Sequence, residues 1–261
     1  MTSTASSPDY PSASLTTDIG EGFGIWKLGP DEELLKIVTA ANVACGFHGG
    51  DPSIMRTTCE TAVANNVAIG AQVSYRDIPG FGRRFIEVPT SVLIDDLLYQ
   101  MGALNAFAQL AGGEIGYVRA HGALYNAAAK HPGHAEAIVK ATLDFNSALP
   151  ILCQEGTETW RQAEAAGLRV VAEAFVDRAY TPEGLLLPRT EPNAIFNDPQ
   201  EAAARAVSMV IDRHIVAVDG SIIPIRAESL LVHSDTAGAV EIATATRDAL
   251  VGAGVELLRT L

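Results

Sequence analysis

The chain has 261 residues, 48% of them hydrophobic and 19% charged, which suits one large domain with a sizeable core. Eighteen Lys and Arg against 31 Asp and Glu give a formal charge of −13, which argues against nucleic acid or an anionic membrane as the main partner. No apolar run approaches the ~20 residues that cross a bilayer. The three cysteines, Cys45, Cys59 and Cys153, show neither C-x-x-C pairing nor zinc spacing, so a reduced, cytoplasmic protein is expected.

The N-terminus "MTSTASSPDYPSAS" lacks a basic segment followed by an apolar one, and its Ser, Thr and Pro content predicts a flexible arm over 1–13. From there, short runs rich in β-branched residues recur at 14–19, 41–45, 67–73, 115–120, 150–154, 168–176 and 229–234. Helical patterns separate most of them. Asp51-Pro52 and Asp198-Pro199 each read as an N-cap followed by proline at the first helical position. Leu93, Leu97, Met101, Leu104 and Ala108 form one helix face, closed by Gly112-Gly113. Strands alternating with helices predict a parallel β/α barrel of about seven strands, a single domain over 14–261. Asp219-Gly220 between two apolar runs predicts a hairpin inserted near 215–225.

In such folds ligands bind beyond the carboxyl ends of the strands. The polar residues predicted there are Asp18 and Glu21, His48 and Asp51, and Gln72, Tyr75 and Asp77 with Arg83 and Arg84 beyond. His121 with Tyr125 and Asn126, Glu173 with Asp177, Arg178 and Tyr180, and His233 with Asp235 complete the set. Each also has a plainer reading. Asp51 and Asp235 precede helices and can serve as caps. His48 can be structural, and Cys45 reads as a small buried residue sooner than as a nucleophile. Glu173, inside "VVAEAFV", is costly unless paired, and Arg178 and Arg84 are candidate partners or carboxylate clamps. No dinucleotide fingerprint or phosphate-binding lysine loop occurs.

Six ordered segments resemble the LamB/YcsF family, which includes A-type subunits of 5-oxoprolinase: "TDIGEGFGIWKLGPDEELL", "ANVACGFHGGDPSIM", "GAQVSYRDIPGFGRR", "HGALYNAAAK", "FVDRAYTPEGLLLPR" and "VHSDTAGAVEIA". The resemblance implies an irregular seven-stranded barrel related to the polysaccharide deacetylase superfamily. It also implies ATP-dependent opening of 5-oxoproline, a cyclic amide, with separate B- and C-type subunits as partners. Departures from the family pattern are Ser14 and Thr16 for an acid and an amide, and Gln72 and Val73 for His-Pro. Arg119 and Ala120 stand for Lys-Pro, with Ser234 and Ala237 near the C-terminus.

On this reading Asp18, His48 and His121 carry proton transfer. Glu21, Gln72, Tyr75, Arg84, Asn126, Glu173, Arg178, Tyr180, His233 and Asp235 bind substrate. No metal is expected, because positions 14 and 72 lack the side chains judged the best ligands. No tightly bound cofactor is expected either, ATP entering only through partner subunits. Three functions remain open: cyclic-amide hydrolysis, the preferred one; a metal-free, ATP-independent isomerisation, cyclisation or rearrangement of a lactam-like substrate in natural-product biosynthesis; and a non-catalytic complex subunit. A homo-oligomer is compatible with all three.

Overall fold

The computed structural model describes residues 11–259. In chain order, β1 (Ser12–Ile19) leads through the short helix α1 (Asp31–Leu34) to β2 (Ala40–Ala44), and α2 (Pro52–Ala64) leads to β3 (Ala68–Val73). There follow α3 (Thr90–Leu110), β4 (Ile115–Ala120), α4 (Gly122–Ala128), α5 (Pro132–Asn146), β5 (Ile151–Cys153), α6 (Glu158–Ala165) and β6 (Val170–Phe175). The last part holds α7 (Pro199–Val207), β7 (His214–Val216), β8 (Ile222–Pro224), β9 (Ser229–Val232), α8 (Ala239–Gly252) and β10 (Glu256–Leu257).

Seven parallel strands close into a ring in the order β1-β2-β3-β4-β5-β6-β9, with β9 pairing back onto β1 through Ser14↔Ser229 and Thr16↔Leu231. Strands covered on both sides need no alternating pattern, which is why these segments read as continuous apolar runs. The expected hairpin is the antiparallel pair β7–β8, with Ile215 opposite Ile223, outside the ring. One boundary moves: Ser12 and Ala13, assigned to the arm, extend β1 and pair with Glu256 and Leu257 of β10. Of the rest of the expected arm, Pro11 accepts the Glu256 amide and residues 1–10 lie outside the described residues.

Helix starts follow their caps. Asp51 accepts the amides of Ser53 and Ile54 at α2, and Asp198 that of Glu201 at α7. At the end of α3 the Gly113 amide bonds the Ala108 carbonyl and the Gly112 amide that of Gln109, the paired closure of a Schellman motif. Among the described residues no helix is long and apolar enough to cross a membrane.

The barrel interior is layered because alternate strand residues point inward. Ala40, Tyr117, Leu152 and Val171 form an apolar floor. Gly70 makes room for it, since a Cβ there would stand 2.1 Å from Tyr117 Cε2. Two residues further along the strands the lining becomes polar: Asp18, Asn42, Gln72, Arg119 and Glu173, all buried.

Candidate active site

The polar layer is held by one cation. Arg119 Nη1 donates to Asp18 Oδ1 at 3.1 Å and its Nε to Glu173 Oε1 at 2.9 Å. Asn42 Nδ2 donates to Asp18 Oδ1 at 2.9 Å, and the Tyr117 hydroxyl to Asn42 Oδ1 at 2.8 Å. Burial works against the Arg119 charge, but the two carboxylates outweigh it and raise the guanidinium pKa. Burial raises the Glu173 pKa, opposed by Arg119. The partner of the Glu173 carboxylate is therefore Arg119, correcting the candidates Arg84 and Arg178. Arg84 pairs with Asp77, while Arg178 donates to the carbonyls of Ala194 and Leu187.

Beyond this layer, at the strand C-termini, one carboxylate oxygen collects three nitrogens. Glu21 Oε1 lies 3.0 Å from Gln72 Nε2, 3.2 Å from His121 Nδ1 and 3.5 Å from His48 Nε2. Glu21 follows β1, His48 follows β2, Gln72 ends within β3 and His121 follows β4, so four consecutive strands converge on it. The imidazoles stack with centroids 3.9 Å apart and planes 13° apart. His121 Nε2 sits 3.0 Å from the Phe81 carbonyl, a donor position, and its Nδ1 lies 2.9 Å from Gln72 Nε2. Burial would raise the Glu21 pKa, yet the adjacent imidazoles of His121 and His48 hold it well below the usual carboxylate range. Burial, with the charge of His121 second, lowers the His48 pKa to about 4. Glu21 is thus ionised and His48 neutral near pH 7.

This geometry reassigns two residues. The orienting carboxylate expected of Asp18 is Glu21, because Asp18 is taken up by Asn42 and Arg119. Ser14 lies four residues before Asp18 on β1, about 13 Å back along the strand, with its hydroxyl toward the Glu228 carbonyl at 3.5 Å. Its lack of an acid removes no ligand from the mouth. Glu21, His48 and His121 each offer a ligand atom, all within 4.8 Å of one another. His48 is 1% exposed, and neither ring nitrogen has a hydrogen-bond partner. Two imidazoles, one of them unpartnered, beside an ionised carboxylate fit a divalent cation.

A loop covers the histidines. Phe81 packs edge-on against His121, and Arg83 lies 4.8 Å over the Phe81 ring. At Gly82 (φ +63°) a Cβ would stand 2.8 Å from His48 Cβ and 2.9 Å from His121 Cδ2, so only glycine lets the loop descend this far. Arg83 then reaches Asp235 at 2.6 Å, which Arg189 meets at 3.5 Å.

The remaining predicted residues are placed as follows. Asp177 receives His233 Nδ1 at 3.0 Å, the His233 amide at 3.2 Å and the Thr236 hydroxyl at 2.7 Å. Burial would raise its pKa, but the His233 charge and these hydrogen bonds hold it below the ordinary value. The Tyr75 hydroxyl is held by His134 of α5, and the Tyr180 hydroxyl accepts the Phe175 amide at 2.8 Å. Asn126 is exposed on α4. Asp51 is the α2 cap and Cys45 is a buried free thiol, as expected. Sequence reasoning passed over Arg189, and it chose Arg84 from a doublet in which Arg83 faces Asp235. Nothing in "GRRF" distinguishes the two.

A family model described as LamB/YcsF matches residues 13–260. A protein from Mycolicibacterium gilvum, named as the A subunit of 5-oxoprolinase, is 53% identical over 246 residues, covering 94% of this chain and 98% of that protein. The crystal structure of a lactam utilization protein from Thermus thermophilus superposes with a TM-score of 0.90 at 41% identity, covering 94% and 98% of the two chains. The T48 deacetylase, at 13% identity and a TM-score of 0.50, covering 95% and 88%, shares the fold. The chain belongs to the LamB/YcsF family.

Proposed function

We propose that this chain is the A-type component of an enzyme that opens a cyclic amide, with 5-oxoproline the substrate to test first. The observation that carries the reading is the Glu21 oxygen gathering Gln72, His121 and His48 at the barrel mouth. Its weight comes from the 53% identity to a protein named as the A subunit of 5-oxoprolinase. Ring opening needs a proton taken from the attacking oxygen and one delivered to the leaving nitrogen. Neutral His48 beside ionised Glu21 provides a group that can accept and return a proton, His121 adds a second imidazole within reach, and Gln72 orients the His121 ring. A divalent cation held by Glu21, His48 and His121 would polarise a bound carbonyl. Arg83 and Arg189 share the single carboxylate of Asp235, which leaves positive charge for a substrate carboxylate. The sequence carries no recognisable phosphate loop, so ATP is assigned to B- and C-type partner subunits. Free, buried cysteines favour a reducing, cytoplasmic setting.

The test is glutamate formation from 5-oxoproline by the chain alone, and with B- and C-type subunits and ATP. The expected result is turnover only in the complete mixture. Absence of turnover there, with turnover of another lactam by the chain alone, would replace this reading with an ATP-independent one.

A further inference from the structure

A second group of ligand-type side chains lies where the connection from β3 to α3 meets the N-terminus of α5. Glu87, His131 and His134 each present one ligand atom, all within 4.8 Å of one another. Hydrogen bonding identifies the free atoms. His131 is the N-cap of α5, and its Nδ1 accepts the His134 amide at 3.3 Å. His134 Nδ1 is engaged by the Tyr75 hydroxyl at 2.8 Å. Each ring is left with Nε2. His131 Nε2 faces Glu87 Oε1 at 4.0 Å, and the two rings stack with centroids 4.1 Å apart.

His134 is 0% exposed, and its Nε2 lacks a hydrogen bond of ordinary geometry, with only the Val88 backbone beside the ring. Capping and packing explain both Nδ1 atoms but not this one, since a buried polar atom without a partner costs free energy. We propose that Glu87, His131 and His134 form a divalent-cation site of the zinc class, separate from the barrel mouth. Two imidazoles and one carboxylate suit that ion, with water completing the shell. Donors on a tetrahedral zinc stand about 3.4 Å apart. Glu87, with a side chain 73% exposed, can turn inward to reach that spacing, and its exposure gives the ion an entry path. The ion would tie to α5 the connection that carries Phe81, Gly82 and Arg83 over the mouth histidines. It would steady that cover without entering the chemistry.

The test is zinc stoichiometry and zinc-induced change in Tm on chelator-stripped full-length protein, its His131→Asn variant and its Glu87→Gln variant. Asparagine keeps the helix cap, and both positions are partly or fully exposed, so the fold should survive. The mouth residues are untouched, so any zinc bound there is common to all three proteins. We expect His131→Asn to bind one equivalent fewer than wild type and to lose part of the zinc-induced rise in Tm. Glu87→Gln should weaken that equivalent at least about tenfold. Equal stoichiometry and equal Tm response in all three proteins would overturn the proposal, as would a wild type that binds no zinc.

Discussion

The ionic layer inside the barrel and the cluster at its mouth use the same materials, buried carboxylates facing buried bases, to different ends. In the layer, Arg119 divides itself between Asp18 and Glu173, and Asn42 and Tyr117 complete the Asp18 side. In the mouth, Glu21 is crowded by nitrogen while His48 keeps two nitrogens without partners. Charges paired through Arg119 build a strut, although Glu173 Oε2 keeps no hydrogen-bond partner; a buried base with both nitrogens unmatched marks a place prepared for a ligand. Gln72 joins the regions, since its amide donates to Glu21 and meets His121 Nδ1 from within β3.

The largest stability effect should come from breaking the strut. Arg119→Met leaves Asp18 and Glu173 buried without their cation and should cost about 3–5 kcal/mol in urea unfolding. A cost below about 1 kcal/mol would mean the layer is wetter and less structural than described.

The mouth should respond to acid. The unfolded chain protonates His48 near 6.5, the folded chain only near 4, so this contribution is complete above pH 6.5 and is lost as pH falls towards 4. A shift of that size corresponds to about 3 kcal/mol. Asp31 acts in the opposite sense. Burial first, with Glu21 nearby, raises its pKa from 3.8 to about 6, so protonation below pH 6 favours the folded state. The His48 part is therefore read as a difference: wild type should lose stability relative to His48→Gln between pH 6.5 and 4. Parallel pH profiles would remove the neutral, desolvated His48 from the account.

A smaller effect is expected at the barrel floor. Gly70→Ala places a methyl group 2.1 Å from Tyr117 Cε2 and should cost about 1–3 kcal/mol, with Tyr117→Leu relieving part of it in the double variant. Additive costs would show that Tyr117 is not the obstacle.

How much of this was legible depended on the range of the interactions. The seven barrel strands were visible as runs of adjacent residues, the hairpin as Asp219-Gly220 and the α2 and α7 starts as Asp-Pro, all local signals. β10 was not, because two residues carry no pattern and its partner lies at the other end of the chain. Within the site, His48, His121 and Gln72 were recognised from their places at strand ends. Their carboxylate was misassigned between Asp18 and Glu21, three positions apart, because only the closed barrel shows which one Arg119 occupies. Ser14 was counted with the mouth ligands, although the run at 14–19 already places it four residues before Asp18, at the strand's amino end. Arg119 pairs with Glu173 across 54 positions, and His131 approaches Glu87 through the folding of two connections; neither contact has a short-range signature.

The central claim, that the mouth does chemistry while the layer beneath holds the barrel, meets its most direct test in Glu21→Gln. Turnover in the complete mixture of partner subunits and unfolding free energy are measured on the same preparation. Losing the carboxylate that lies between both histidines and Gln72 should lower kcat ~10²–10⁴-fold, with cooperative unfolding retained. A variant that keeps kcat within a few fold of wild type would contradict the claim and move the chemistry away from Glu21, His48 and His121.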